Sequence, residues 1–189
     1  MIAPGWLPPP DGSRDRRIED PTNLYFVHLT GRALLPLALR ARIAANAVSL
    51  CGLAFGISGA LAFYRWSDWR YACLGFTLCS LWLIADGLDG MIARATGTTS
   101  AFGRFLDGVC DHVVFVFLYC SLAASLGTVS AWVLAFAAGA VHALQATLYE
   151  GERTRFHRRL KGEYAAPQLA PSPNLLVKAY DRLAGSLDR

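Results

Sequence analysis

Charged residues vanish from this chain in four long stretches. Ile43 to Tyr64 has none, nor does Tyr71 to Ala85, Val113 to Trp132, or Ala131 to Tyr149. Apolar runs of this kind cross a bilayer as helices, because a helix satisfies its own backbone hydrogen bonds where no water can. The spans fall at 43–64, from 71 onward, 103–126 and 131–149, with turns at Arg65–Arg70 and Gly127–Ser130. Gly52, Gly56 and Gly59 in the first span permit close helix contact. Before it, Asn23 to Arg42 alternates Leu24, Phe26, Val27, Leu34, Leu35 and Leu39 with His28, Arg32, Arg40 and Arg42. That pattern suits an interfacial helix lying on the membrane, with Pro36 limiting its regularity. The expected fold is all-α: a polytopic membrane helix bundle with four transmembrane helices, preceded by an amphipathic interfacial helix.

Three zones follow. Residues 1–22, with Pro8-Pro9-Pro10 and mixed charge, read as a disordered cytosolic tail. Residues 23–150 form the membrane-embedded domain. Residues 151–189 form a basic and amphipathic cytosolic tail, with Asn174–Leu187 amphipathic, leading toward helices absent from this chain.

Charge changes the picture through its location. Arg32, Arg40 and Arg42 precede the first span; Arg153, Arg155, Arg158, Arg159 and Lys161 follow the last. Basic clusters that flank apolar spans speak for a membrane surface and against a nucleic-acid partner. They place the N-terminus, the C-terminus and Arg94 in the cytosol. No apolar core precedes the N-terminal arginines, so no signal peptide is expected. The five cysteines show no CxxC or metal-finger spacing and read as free packing residues.

Four aspartates interrupt this apolar pattern. Asp86 and Asp89 are i,i+3, and Asp107 and Asp111 are i,i+4, so each pair shares a helix face. Tyr71 to Ala85 covers only about 22 Å before Asp86, against a hydrocarbon core of about 30 Å. Asp111 lies roughly 24 Å back from the turn at Gly127. Both pairs therefore sit at matching depth, inside the cytosolic boundary, where carboxylates are expensive and a functional site is the default reading.

A lone aspartate pair near a helix end is usually a cap or a solvated face. Four acids at these spacings, with Gly87, Gly90, Gly108 and Arg94 beside them, outweigh that reading. Four carboxylates in a low-dielectric pocket need cations, and hard oxygen ligands select Mg²⁺ or Mn²⁺. Two such ions would suit displacement at phosphorus. The glycines would let a diphosphate approach the backbone, and Arg94 suits a phosphate clamp. Thr96 to Ser100 is small and hydroxyl-rich, fit to bond phosphate or a nucleotide. Arg104 reads as a snorkelling surface arginine and His112 as a packed neighbour.

These residues resemble the signature of the CDP-alcohol phosphotransferase family, D-x2-D-G-x2-A-R-x8-G-x3-D-x3-D, at every fixed position, Gly90, Ala93 and Gly103 included. The resemblance covers roughly 24–150. It implies a membrane transferase that moves a substituted phosphate from a CDP-linked lipid, such as CDP-diacylglycerol, to an alcohol acceptor, releasing CMP in phospholipid biosynthesis. It implies two divalent ions on Asp86, Asp89 and Asp107, with Asp111 binding the second ion and acting as general base. Gly90, Arg94 and Ser100 would touch the CDP moiety. Family members often open the first span with Pro-Asn-x-x-Thr/Ser; here it reads Ala45-Asn46-Ala47-Val48-Ser49, so Asn46 and Ser49 carry over and the proline does not. The resemblance also implies membrane lipids as surroundings, a homodimer, and a site facing the cytosol from a bacterial inner membrane. The family usually has six transmembrane helices. A truncated, inactive member with a binding or assembly role is therefore the alternative, and an aspartate-rich membrane prenyltransferase a weaker one.

Overall fold

A computed structural model describes residues 14–162. Residues 1–13 and 163–189, including the amphipathic stretch Asn174–Leu187, lie outside the described residues. Among those described there is helix and turn but no strand. A π-helical turn, Asn23–Val27, leads into α1 (His28–Arg40), followed by α2 (Ala45–Ala62), a 3-10 turn (Phe63–Arg65), α3 (Trp69–Thr96), α4 (Ala101–Leu126) and α5 (Val129–Lys161).

Each break between the long helices has a local cause. The Asp68 carboxylate caps α3 by accepting from the Arg70 amide at 3.0 Å. Ser100 caps α4 by accepting from the Gly103 amide at 3.0 Å, and Thr128 caps α5 through the Ala131 amide at 3.2 Å. Gly97, Gly127 and Gly162 end the three helices in the left-handed conformation, with φ of 68°, 63° and 71°.

Among the described residues, four helices are long and apolar enough to cross a membrane. α2 packs most extensively on α3 and then on α4. Its glycine face makes this possible. A Cβ at Gly52 would meet Ala85 Cβ at 3.0 Å, and one at Gly59 would meet Cys79 Sγ at 2.8 Å. At Gly56 it would collide with Val114 of α4, which is fully buried. The interfacial helix α1 continues through Pro36 rather than losing regularity there, and docks on α3. Val27 and Met91 make this contact, against Gly87 and Gly31 respectively. Tyr25, Phe26, Leu29, Leu34 and Leu37 stay exposed on its outer side.

α5 differs from the expected span. It runs 33 residues, about 50 Å, to Lys161 instead of ending near Tyr149. Two i,i+3 ion pairs, Glu150–Arg153 at 2.7 Å and Glu152–Arg155 at 2.8 Å, support the added turns.

Candidate functional site

The four aspartates converge. Asp86 and Asp89 project from α3, and Asp107 and Asp111 from α4, into one cleft that Ser49 and Gly52 of α2 close from the side. Trp82 and Cys110 complete the lining. Only Gly97 to Ser100 separates α3 from α4, which turns the chain back, and α2, packed on both, brings them to one cleft. As the side chains stand the cleft is narrow, with a cavity volume of about 10 Å³, room for one water-sized group.

Asp89 is buried, 5% exposed, and accepts a hydrogen bond from the Ser49 hydroxyl. Ser49 is itself buried, within hydrogen-bonding distance of the Ala45 carbonyl at 3.3 Å, which holds the hydroxyl over α3. The Asp86 and Asp107 carboxyl groups face each other from α3 and α4. Carboxylates brought this close repel unless a cation offsets their charge. The Trp82 indole N–H reaches toward Asp111. Its ring is set edge-on to Phe115, with centroids 5.3 Å apart.

This donor set fits hard divalent ions: four carboxylates line one cleft, all of them oxygen ligands. As the side chains stand, no three His, Cys, Asp or Glu among the described residues are gathered to hold an ion. Binding would therefore turn carboxylates toward one another.

The remaining sequence-derived residues surround the cleft rather than line it. Arg94 folds back over Gly90: a Cβ at Gly90 would lie 3.1 Å from Arg94 Nη1. The missing side chain is what lets the guanidinium lie along α3 toward Asp89. Asn46 and Ser100 meet at Gly103, where a Cβ would find Ser100 Oγ at 3.2 Å and Asn46 Oδ1 at 3.6 Å. Ser100 has a structural task there as the α4 cap. His112 and Arg104 are exposed and outside the cleft; His112 Nδ1 is 2.6 Å from the Gly108 carbonyl.

Trp82 and Cys110 were missed as lining residues. Helical periodicity carried the signal, since Trp82 lies one turn before Asp86 and Cys110 adjoins Asp111. Nothing local marks a third group. Glu19, assigned from sequence to the tail, is buried with Arg14 and Arg153.

The sequence model of the CDP-alcohol phosphatidyltransferase family matches residues 42–173. Curated relatives include a phosphatidylinositol phosphate synthase of Streptomyces avermitilis, 36% identical over 94 residues, 48% of this chain and 37% of the relative. A phosphatidylinositol phosphate synthase of Mycolicibacterium smegmatis is 34% identical over 92 residues, 49% of this chain and 40% of the relative. A CDP-diacylglycerol–serine O-phosphatidyltransferase of Methanocaldococcus jannaschii is 43% identical over 61 residues, 30% of each chain. The chain thus spans well under half the length of these relatives. No solved structure shows significant similarity to it.

Proposed function

The chain belongs to the CDP-alcohol phosphatidyltransferase family, and we propose that it transfers a phosphatidyl group from a CDP-linked lipid to an alcohol, releasing CMP. The observation that carries this reading is the single cleft shared by all four signature carboxylates and Ser49. Its position between α2, α3 and α4, each long and apolar enough to cross a membrane, suits a donor whose acyl chains stay in lipid.

Asp86, Asp89, Asp107 and Asp111 would hold two Mg²⁺ or Mn²⁺ ions. Bound there, the ions would neutralise the diphosphate and polarise the reacting phosphorus. The chain's own residues do the rest. Arg94, lying over Gly90, clamps the diphosphate from the α3 side. Asn46 and Ser100, side by side at Gly103, hold the cytidine end. Ser49 fixes the orientation of Asp89. Asp111 takes the proton of the alcohol as its oxygen bonds to the lipid-bearing phosphorus; the bond from that phosphorus to CMP breaks, and CMP leaves. The distribution of arginines supports a cytosolic mouth.

The test is CMP release by purified chain from CDP-diacylglycerol, with Mg²⁺ or Mn²⁺ and a panel of alcohols. Inositol phosphate, glycerol phosphate and serine belong in the panel. Release with one acceptor supports the reading and names the alcohol. Tight CDP-diacylglycerol binding with no release for any acceptor would favour the inactive binding role.

A further inference from the structure

A second charged cluster lies at the aspartate end of the bundle, outside the cleft. Its centre is Glu19, whose side chain is 0% exposed. The Glu19 carboxylate accepts from Arg14 Nη1 at 3.1 Å and from Asn23 Nδ2 at 2.9 Å. It also lies 2.9 Å from Arg153 Nε on α5, an ion pair whose alignment falls short of a hydrogen bond. A carboxylate is almost never fully buried without such partners.

Two further contacts around Glu19 join the same stretches as the Glu19–Arg153 pair. The Tyr149 hydroxyl donates to the Ile18 carbonyl at 3.3 Å. The Arg17 guanidinium lies over the Phe156 ring, 5.2 Å from its centroid. Asp15 pairs with Arg17 at 2.7 Å, which holds the Asp15 carboxyl well below the usual range. The segment itself is a compact turn, the Ile18 and Glu19 amides donating to the Asp15 carbonyl at 3.1 and 3.0 Å. Residues 14–19 are thus fastened to residues 149–156, and Arg14 and Arg153 are both within Coulombic reach of Asp86.

Glu19 occupies two guanidinium groups, Arg14 and Arg153, that lie within Coulombic reach of Asp86. A phosphate group offers arginine the same paired oxygens as a carboxylate, with more charge. It would compete for the same donors. We propose that Arg14–Asp20 is a strap across the aspartate end of the bundle, latched by Glu19, and that a phosphate-bearing anion opens it by displacing Glu19 from Arg14 and Arg153.

Hydrogen exchange tests this without turnover, so it stands apart from the proposed transferase activity. The full chain is placed in phosphatidylcholine nanodiscs, and exchange is followed at the Ile18 and Glu19 amides. Glu19→Gln is expected to speed their exchange about tenfold or more, the scale of hydrogen bonds to a charged group. Inorganic phosphate, or anionic lipid in the discs, is expected to speed exchange in the wild type but not in Glu19→Gln. Acceleration in the first arm identifies a free anion, in the second a lipid headgroup. Sodium chloride at matched ionic strength should do neither. Arg153→Gln should open the strap as Glu19→Gln does, with α2–α4 amides unchanged, which separates release of the latch from a folding defect. Equal exchange in wild type and both variants, or no acceleration by either anion beyond that of chloride, would overturn the proposal.

Discussion

α2 and α5 are both apolar helices, yet they belong to the molecule in opposite ways. Of the most apolar window of α2, 39% is buried within the chain; of α5, only 6%. α2 carries glycines where α3 and α4 approach, so backbone meets side chain across the whole contact. α5 presents Val129, Val133, Leu134, Phe136 and Val141 outward, and touches α4 at Phe115–His142, with ring centroids 3.9 Å apart. Apolar surface gives little drive for helix association in lipid, so close packing of small residues has to supply it. The aspartates sit on the two helices that α2 packs against. The α2–α4 unit is the scaffold of the site, and α5 is joined to it through α4.

The sharpest way to break this contrast is at the carboxylates. Asp107→Asn should abolish CMP release and metal binding together, as should excess EDTA with the wild type. Full turnover in EDTA would remove the two-ion reading. Next comes Asp111→Asn, which keeps size but accepts no proton. It should cost roughly 10²–10⁴-fold in rate while CDP-lipid binding changes little. Loss of binding with no separate rate effect would make Asp111 a ligand only.

Gly56→Val probes the packing itself. The added side chain meets Val114 and Trp82, so a loss of about 1–3 kcal/mol in stability is expected, read as a lower unfolding midpoint in detergent. The smallest effect belongs to α5. Val133→Ala, on a residue 64% exposed to lipid, should stay within about 0.5 kcal/mol. If the two substitutions cost the same, the contrast between the helices is false.

Much of this was legible in the residues. The four spans, the glycine face at Gly52, Gly56 and Gly59, and the pairing of the aspartates all follow from helical periodicity, which is local information. The end of α5 was not. The apolar run stops at Tyr149, but the Glu150–Arg153 and Glu152–Arg155 ion pairs, three residues apart on one face, carry the helix on to Lys161. The Glu19–Arg153 pair was invisible for a different reason. It joins positions 134 residues apart, and a charged residue in a polar stretch gives no sign that it will be buried. Ser100 shows the limit of motif reading: its hydroxyl, near Asn46 at Gly103 and outside the cleft lining, serves as the cap of α4.

The connector from Gly97 to Ser100 has one more consequence. Joining two ligand arms by a short tether raises the effective concentration of each for whatever the other has bound, steeply so when tether and span match. Asp86 and Asp89 form one arm, Asp107 and Asp111 the other, and four residues hold them in step. On the two-ion reading proposed above, the α3–α4 hairpin is a chelate ring drawn in protein, and lengthening the tether is expected to loosen the grip on cations without touching a single carboxylate.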